Sequence, residues 1–276
     1  MIKKGLISIL MPVYNGFPDI KLSIAALLWQ TYTDWECIIV NDGSIDGTKD
    51  FLNQLLDPRF KTVHLAENAG RGNARQIALE HARGEYVAYL DAGDWCSPQK
   101  LEYQIQYLQK NPDVSLVSTG MYSYGERKNF RRVRGLGNGL PCYFNKVKGR
   151  LSIACATAMI RRDVIADYKY DSSIDYGEDI DFFSRCMNGK KYAILSEVLY
   201  YYSEFDSMSI AKLKKAYKGI YNREKHIKNY LKYLYYTYAA PILGIDFIIK
   251  RRGRIPTDYQ NKVFNELFKR LKLKRD

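Results

Sequence analysis

The rhythm of the first 120 residues constrains this chain more than any other feature. Short apolar runs alternate with stretches of helical spacing, each about a dozen residues long. The runs are "LISILM" (6–11), "ECIIV" (36–40), "FKTVHL" (60–65), "YVAYL" (86–90) and "VSLVST" (114–119). Between them lie "DIKLSIAALLWQT" (19–31), with apolar residues at Ile20, Ile24, Leu27 and Leu28, then residues 46–56, then "GRGNARQIALEHA" (70–82). "QKLEYQIQYLQKN" follows Pro98, which sits where a helix favours proline. Strands separated by helices of this length imply βαβ units. The strand runs lack strict polar–apolar alternation, as expected of a largely parallel sheet covered by helices on both faces.

From 121 to 150 the rhythm breaks. "GERKNFRRVRGLGNG" is basic and glycine-rich, has no clear period and reads as a surface loop. Strand character returns at "CATAMI" (155–160). "GEDIDFFSRCMNG" (177–189) reads as a short helix with acids in its first turn, where the helix dipole favours them. Beyond about residue 209, helical patterns rich in Lys and Tyr take over. Charge draws the same boundary. The chain has 43 Lys+Arg and 30 Asp+Glu, a net charge of +13. Residues 1–209 hold 25 of each sign, which leaves 18 basic and 5 acidic residues for 210–276. The expected organisation is a neutral α/β domain over 1–209, with halves at about 1–120 and 121–209, and a basic helical extension over 210–276.

Five cysteines lie far apart with no C-x-x-C pair, which is neither a disulfide framework nor a zinc site and suits a reducing compartment. "MIKKGLISILMPVYNG" reads as a first strand rather than a secretory leader. The three histidines are scattered and form no nucleophile pattern with Ser or Cys. There is no P-loop, and "GRGNAR" lacks dinucleotide-fingerprint spacing.

Aspartates fall where such a sheet presents its carboxyl edge: Asp42 after the second run, Asp91 and Asp94 after "YVAYL", Glu178 and Asp179 opening a later helix. Acids at strand ends converge on one crevice. Converging carboxylates repel unless something positive sits among them, and oxygen-rich sites suit Mg²⁺ or Mn²⁺ together with substrate phosphates. Each acid taken singly also reads as a turn or capping residue.

"ISILMPVYNG", "IIVNDGSIDGT", "NAGRGNARQIALEHARGEYVAYLDAGD" and "GEDIDFFSR" arrive in order and at the spacings of a known group. Together they resemble the family 2 glycosyltransferases of the GT-A fold, over roughly residues 6–205. The resemblance implies a bacterial, non-processive, inverting enzyme that moves one sugar from a nucleotide donor, UDP-linked by preference, to a saccharide or lipid-linked saccharide acceptor in surface polysaccharide synthesis. It implies that Pro12, Val13 and Tyr14 line the base pocket and that Asp42 accepts a hydrogen bond from the base. The bland alternative for Tyr14 is a packed surface aromatic. Asn68, Gly70 and Arg75 border the nucleotide and its phosphates in the family; Arg75 reads equally as a solvated helix residue. "LDAGD" matches the family's metal motif with Asp91 and Asp94 kept and Gly93 in place of an acid. The implied metal, Mn²⁺ or Mg²⁺, falls to Asp94 with Asp91 in support. The missing acid is also what an inactive nucleotide-binding subunit would show. Asp179 is the implied general base, with Glu178 orienting it or meeting the acceptor.

Processive relatives carry a Q-x-x-R-W motif, and none is present. "YYYSEFDSMS" (200–209) has Glu204 and Asp206 but no histidine, where many relatives carry a basic or histidine-bearing segment. A sugar nucleotidyltransferase shares a similar core, but "PVYNGFPDI" does not fit its glycine-rich nucleotide loop. The tail supports two placements: helices on the cytoplasmic face of the inner membrane, tyrosines at headgroup depth and lysines toward anionic lipid, or helices capping the catalytic domain. Nucleic acid is disfavoured because no binding motif is present.

Overall fold

The structure is a computed structural model that describes residues 2–124, 131–145, 151, 153–174 and 177–203. The basic extension expected over 210–276 lies outside these residues.

A ten-stranded mixed sheet forms the centre. In chain order the elements are β1 (Lys3–Val13), α1 (Ile20–Leu28), β2 (Trp35–Asn41), α2 (Thr48–Asn53), β3 (Phe60–His64), α3 (Arg71–His81), β4 (Gly84–Tyr89), β5 (Trp95–Cys96), α4 (Lys100–Lys110) and β6 (Val114–Tyr124). They continue as β7 (Arg131–Arg134), β8 (Cys142–Tyr143), a short 3₁₀ turn at Cys155–Thr157, β9 (Met159–Arg161), α5 (Arg162–Ile165), α6 (Glu178–Cys186) and β10 (Lys191–Ser203). The strand order is β3-β2-β1-β4-β9-β6-β10-β5. β3, β2, β1 and β4 are mutually parallel, β9 is antiparallel to β4 and β6, and β10 is parallel to β6.

The apolar strands follow from burial on both faces. All seven residues of β2 are buried. Cys37 and Ile39 face one core with Ile9 and Met11, where α1 and α4 contribute Ile24, Leu27, Leu101 and Ile105. Ile38 and Val40 face the other core with Leu10 and Val87, where α3 and α6 contribute Ala74, Ala78, Phe182 and Phe183. Neighbouring residues of a strand point to opposite faces, so a sheet sandwiched between helices needs apolar residues at every position.

One expectation is corrected. Over its described residues the basic segment after 120 is not a featureless loop. β6 runs on through Tyr124, and β7 returns antiparallel beside it, pairing Arg134 with Met121 and Arg131 with Tyr124. Gly137 and Gly139 then donate backbone N–H groups to the carbonyls of Leu195 and Ile194 (3.2 and 2.9 Å). Backbone pairing holds this segment, and backbone pairing leaves no apolar period in the sequence. Among the described residues, no helix is long and apolar enough to cross a membrane.

Candidate active site

β1, β2, β3 and β4 end at one edge of the sheet, with Val13 in register with Asn41 and Asn41 with His64. The loops that follow are laced together. Asn15 N–H donates to Ser44 Oγ (2.9 Å), and Ile45 N–H donates to Asn15 Oδ1 (2.9 Å). Asp42 N–H extends the β1–β2 ladder by donating to the Val13 carbonyl (2.8 Å). Val13 and Asp42 are buried, while Tyr14 is 49% exposed at the rim, which leaves its ring open to a stacking partner.

Asp42 does more than end a strand. Its Oδ1 accepts the Ala69 N–H (2.7 Å) and its Oδ2 the Gly70 N–H (3.0 Å), while Asn68 Nδ2 donates to the Asp42 carbonyl (3.3 Å). A carboxylate has about four acceptor directions, so each oxygen keeps one for a further donor. Gly43 follows because the 65–70 loop lies against it. A Cβ on Gly43 would stand 2.3 Å from the Glu67 carbonyl carbon, and its φ of +68° already favours glycine. Asp42 therefore fixes the loop that leads into α3.

Arg75 lies one turn into α3 and is only 3% exposed, which removes the solvated-helix reading. Its Nη1 donates to Glu178 Oε1 (2.5 Å) and its Nη2 to Asp91 Oδ1 (3.0 Å). Burial alone would lower the Arg75 pKa, but the carboxylates of Asp91, Asp179 and Glu178 outweigh it and raise the value well above the ordinary arginine range. Arg71, half exposed on the preceding turn, places Nε 3.5 Å from the same Glu178 oxygen. The positive charge that converging acids require is thus supplied by a side chain.

The two adjacent acids on α6 divide. Glu178 is 2% exposed and points inward to Arg75. Burial raises its pKa against the opposing pull of Arg75, and Asp179 raises it further. Asp179 is partly exposed and accepts its neighbour Ile180's N–H (2.8 Å). Cys155, on the 3₁₀ turn, lies beside it; burial and the Asp179 charge hold that thiol well above its usual pKa.

Asp94 sits differently from the sequence expectation. It is 3% exposed; Oδ1 accepts the Ser203 N–H (2.8 Å) and Oδ2 accepts the Tyr200 hydroxyl (2.7 Å). Burial, then the Asp91 charge, raises its pKa well above the usual carboxylate range. Tyr200 also accepts the Asp91 N–H (3.1 Å). Ser23 accepts the Gly93 N–H (2.9 Å) and donates to the Asp94 carbonyl (2.6 Å). The turn carrying Asp91 and Asp94 is therefore bound to β10 and α1 through Tyr200, Ser203 and Ser23. Sequence reasoning did not single out these three. Tyr200 and Ser203 fall in the "YYYSEFDSMS" segment, but a hydroxyl or backbone donor more than a hundred residues away leaves no local spacing signal.

These contacts join the expected residues into one connected edge. Pro12 to Tyr14 and Asp42 meet at the ends of β1 and β2. Asp42 ties the Asn68–Gly70 loop to α3, Arg75 ties α3 to Asp91 and Glu178, and Tyr200 ties Asp91 to Asp94. The donor set does not fit a divalent cation held by two motif carboxylates. Position 93 has no side chain, Asp94 is 3% exposed with one donor already on each oxygen, and Asp91 Oδ1 is paired with Arg75. Among the described residues no cluster of three or more His, Cys, Asp or Glu side chains could hold a metal ion.

The description of Glycosyl transferase family 2 matches residues 8–169. The chain belongs to this family. It is 32% identical over 166 residues to the UDP-Glc:alpha-D-GlcNAc-diphosphoundecaprenol beta-1,3-glucosyltransferase WfgD of Escherichia coli, covering 60% of this chain and 64% of that protein. It superposes on S. aureus TarS in complex with UDP with a TM-score of 0.62 at 17% identity, covering 94% of this chain and 78% of TarS. It superposes on the mannosyltransferase PcManGT of Pyrobaculum calidifontis, in complex with GDP-Man and Mn²⁺, with a TM-score of 0.60 at 17% identity, covering 95% and 80%. The fold is GT-A, and the chain is a family 2 glycosyltransferase.

Proposed function

We propose that this family 2 glycosyltransferase moves a single sugar from a UDP-linked donor to a saccharide or lipid-linked saccharide acceptor, with inversion at the anomeric carbon. The single observation that carries the reaction is the division of labour between Glu178 and Asp179. Glu178 is buried and paired with Arg75, whereas Asp179, on the first turn of α6, is partly exposed. A base must reach the acceptor hydroxyl, so it must face the solvent side of the site. Asp179 takes the proton as the hydroxyl oxygen attacks the anomeric carbon, and the bond to the diphosphate oxygen breaks on the opposite face. The electron pair leaves with the UDP. Attack and departure from opposite faces invert the configuration.

Tyr14 stacks on the base, and Asp42 presents its remaining acceptor directions to a base N–H. Pro12 and Val13 form the pocket floor, and Asn68, Gly70 and Asp91 border the ribose and phosphates. The name of the Escherichia coli relative, with a UDP-Glc donor and a diphosphoundecaprenol-linked acceptor, supports a UDP donor and a lipid-linked acceptor.

The test is Asp179→Asn assayed for transfer and, separately, for UDP binding. Transfer is expected to fall by about 10²–10⁴-fold with UDP affinity unchanged. Equal turnover by variant and parent would remove Asp179 as the base. Gly93 favours a second reading, an inactive nucleotide-binding subunit. Such a subunit would bind UDP yet show none of the slow donor hydrolysis expected of an active enzyme.

A further inference from the structure

We infer that the donor diphosphate binds this chain without a divalent metal, because Arg75 occupies the electrostatic position that a cation would otherwise fill. The inference rests on the UDP-donor reading above and deepens it. A metal bound by the "LDAGD" turn would need carboxylate oxygens that can turn toward it. Gly93 supplies none. Asp94 is 3% exposed and anchored by Ser203 N–H and Tyr200 O–H, one on each oxygen, so turning it toward an ion at the surface would break those bonds and strand the buried Tyr200 hydroxyl. Asp91 offers one oxygen, but its other oxygen already holds the Arg75 guanidinium at 3.0 Å. A dication on Asp91 would therefore sit within a few ångströms of a fixed positive charge, and like charges at that range repel strongly in a partly buried site.

The positive charge is better matched to a diphosphate in its present form. Arg75 pairs with both Asp91 and Glu178 and so reduces their repulsion of an incoming anion. Arg71, on the exposed turn of α3 just past Gly70, stays at the surface with its Nε 3.5 Å from Glu178, within reach of a phosphate. Arg134 on β7 adds a cation whose charge is felt at Asp94. Arginine binds phosphate oxygens through a planar fork of donors and needs no metal to do so.

The experiment is isothermal calorimetry of UDP on the full chain, with EDTA and with Mn²⁺, beside GDP and CDP as comparison nucleotides. A second readout is Mn²⁺ titration of the nucleotide-free protein followed by electron paramagnetic resonance. UDP affinity is expected to agree within about threefold between EDTA and Mn²⁺, and the protein alone is expected to leave Mn²⁺ free. Arg71→Gln should weaken UDP in EDTA by about tenfold. Gly93→Asp should introduce a Mn²⁺ dependence absent from the parent; its φ of +93° strains a side chain, but only Asp19 Cβ lies near the new Cβ, at 3.5 Å. A parent that loses about tenfold or more of its UDP affinity in EDTA overturns the inference and leaves the UDP-donor reading standing. Binding of no nucleotide under either condition overturns both.

Discussion

Replacing Arg75 with Met tests whether a guanidinium holds this site together. Methionine keeps much of the aliphatic volume and removes the charge. Two charge-assisted hydrogen bonds disappear, one to Glu178 and one to Asp91. Asp91 is 27% exposed and can recover water, but Glu178, at 2%, cannot. Breaking a buried ion pair by deleting one partner costs about 3–5 kcal/mol. Glu178 can limit that cost by taking a proton. An unfolded glutamate titrates near 4.3, so holding it protonated at pH 7 costs about 2.7 units at 1.36 kcal/mol each, roughly 3.7 kcal/mol. The two routes agree on a loss of about 3–4 kcal/mol at neutral pH, or roughly 10 °C in Tm for a domain of this size.

The proton route also fixes the pH dependence. In the variant the folded-state pKa of Glu178 lies further above its unfolded value than in the parent, where burial already raises it. Between the two values the folded state binds more protons than the unfolded state, so stability falls as pH rises through that window. The gap between parent and variant should therefore shrink to about 1 kcal/mol near pH 5, where protonation is nearly free. Urea unfolding at pH 5 and pH 7 measures it, and Arg75→Met combined with Glu178→Gln should recover much of the loss. A variant within about 1 kcal/mol of the parent at pH 7, or a gap independent of pH, would refute the assignment of Arg75 as the cation among these acids.

Two further expectations follow from other buried groups. Asp42→Ala strands the Ala69 and Gly70 N–H groups and loosens the loop entering α3; a loss of about 1–3 kcal/mol in stability, with UDP binding weakened by about tenfold or more, is expected by urea unfolding and calorimetry. Lys100 is 1% exposed, and burial lowers its pKa to about 8. Between about 8 and its unfolded value near 10.4 the unfolded state binds more protons, so stability rises with pH in that window, and Lys100→Met should stabilise the protein by about 3 kcal/mol at pH 7 with the gain vanishing above pH 10.

The fold was legible because burial on both sides of the sheet writes itself into consecutive residues. "ECIIV" marks a strand that in fact runs Trp35–Asn41; Trp35 belongs to it because its ring packs edge-on against Phe60, with centroids 5.4 Å apart. The helix expected over 46–56 is shorter, Thr48–Asn53, because Asp46 takes the Thr48 N–H with its side chain and holds the preceding residues in a turn. β7 was illegible for the opposite reason. "RRVR" has no apolar face to declare, and its place depends on the free edge of β6.

The acids of the site were legible as strand-end residues, but their division into roles was not, because roles depend on partners distant in the chain. Glu178 and Asp179 are one residue apart, and only the Arg75 guanidinium, 103 residues from Glu178, separates an anchoring acid from an accessible one. Asp91 and Asp94 look equivalent as motif acids, yet Tyr200 and Ser203 close Asp94 off and leave Asp91 with a free oxygen. Several carboxylates gathered at one edge need a positive charge nearby. A sequence pattern cannot say whether a bound ion or a side chain supplies it, since a buried arginine and a solvated one occupy the same helical position in a string of letters. Here a buried Arg75 guanidinium places a positive charge beside Asp91 and Glu178. A guanidinium enclosed at 3% exposure stays charged, and an enclosed charge persists only where carboxylates surround it. The same contacts that neutralise the acids therefore determine where α3, α6 and the "LDAGD" turn meet. One buried side chain therefore couples the packing of these elements to the charge of the edge they form, so a single substitution at Arg75 is expected to change both.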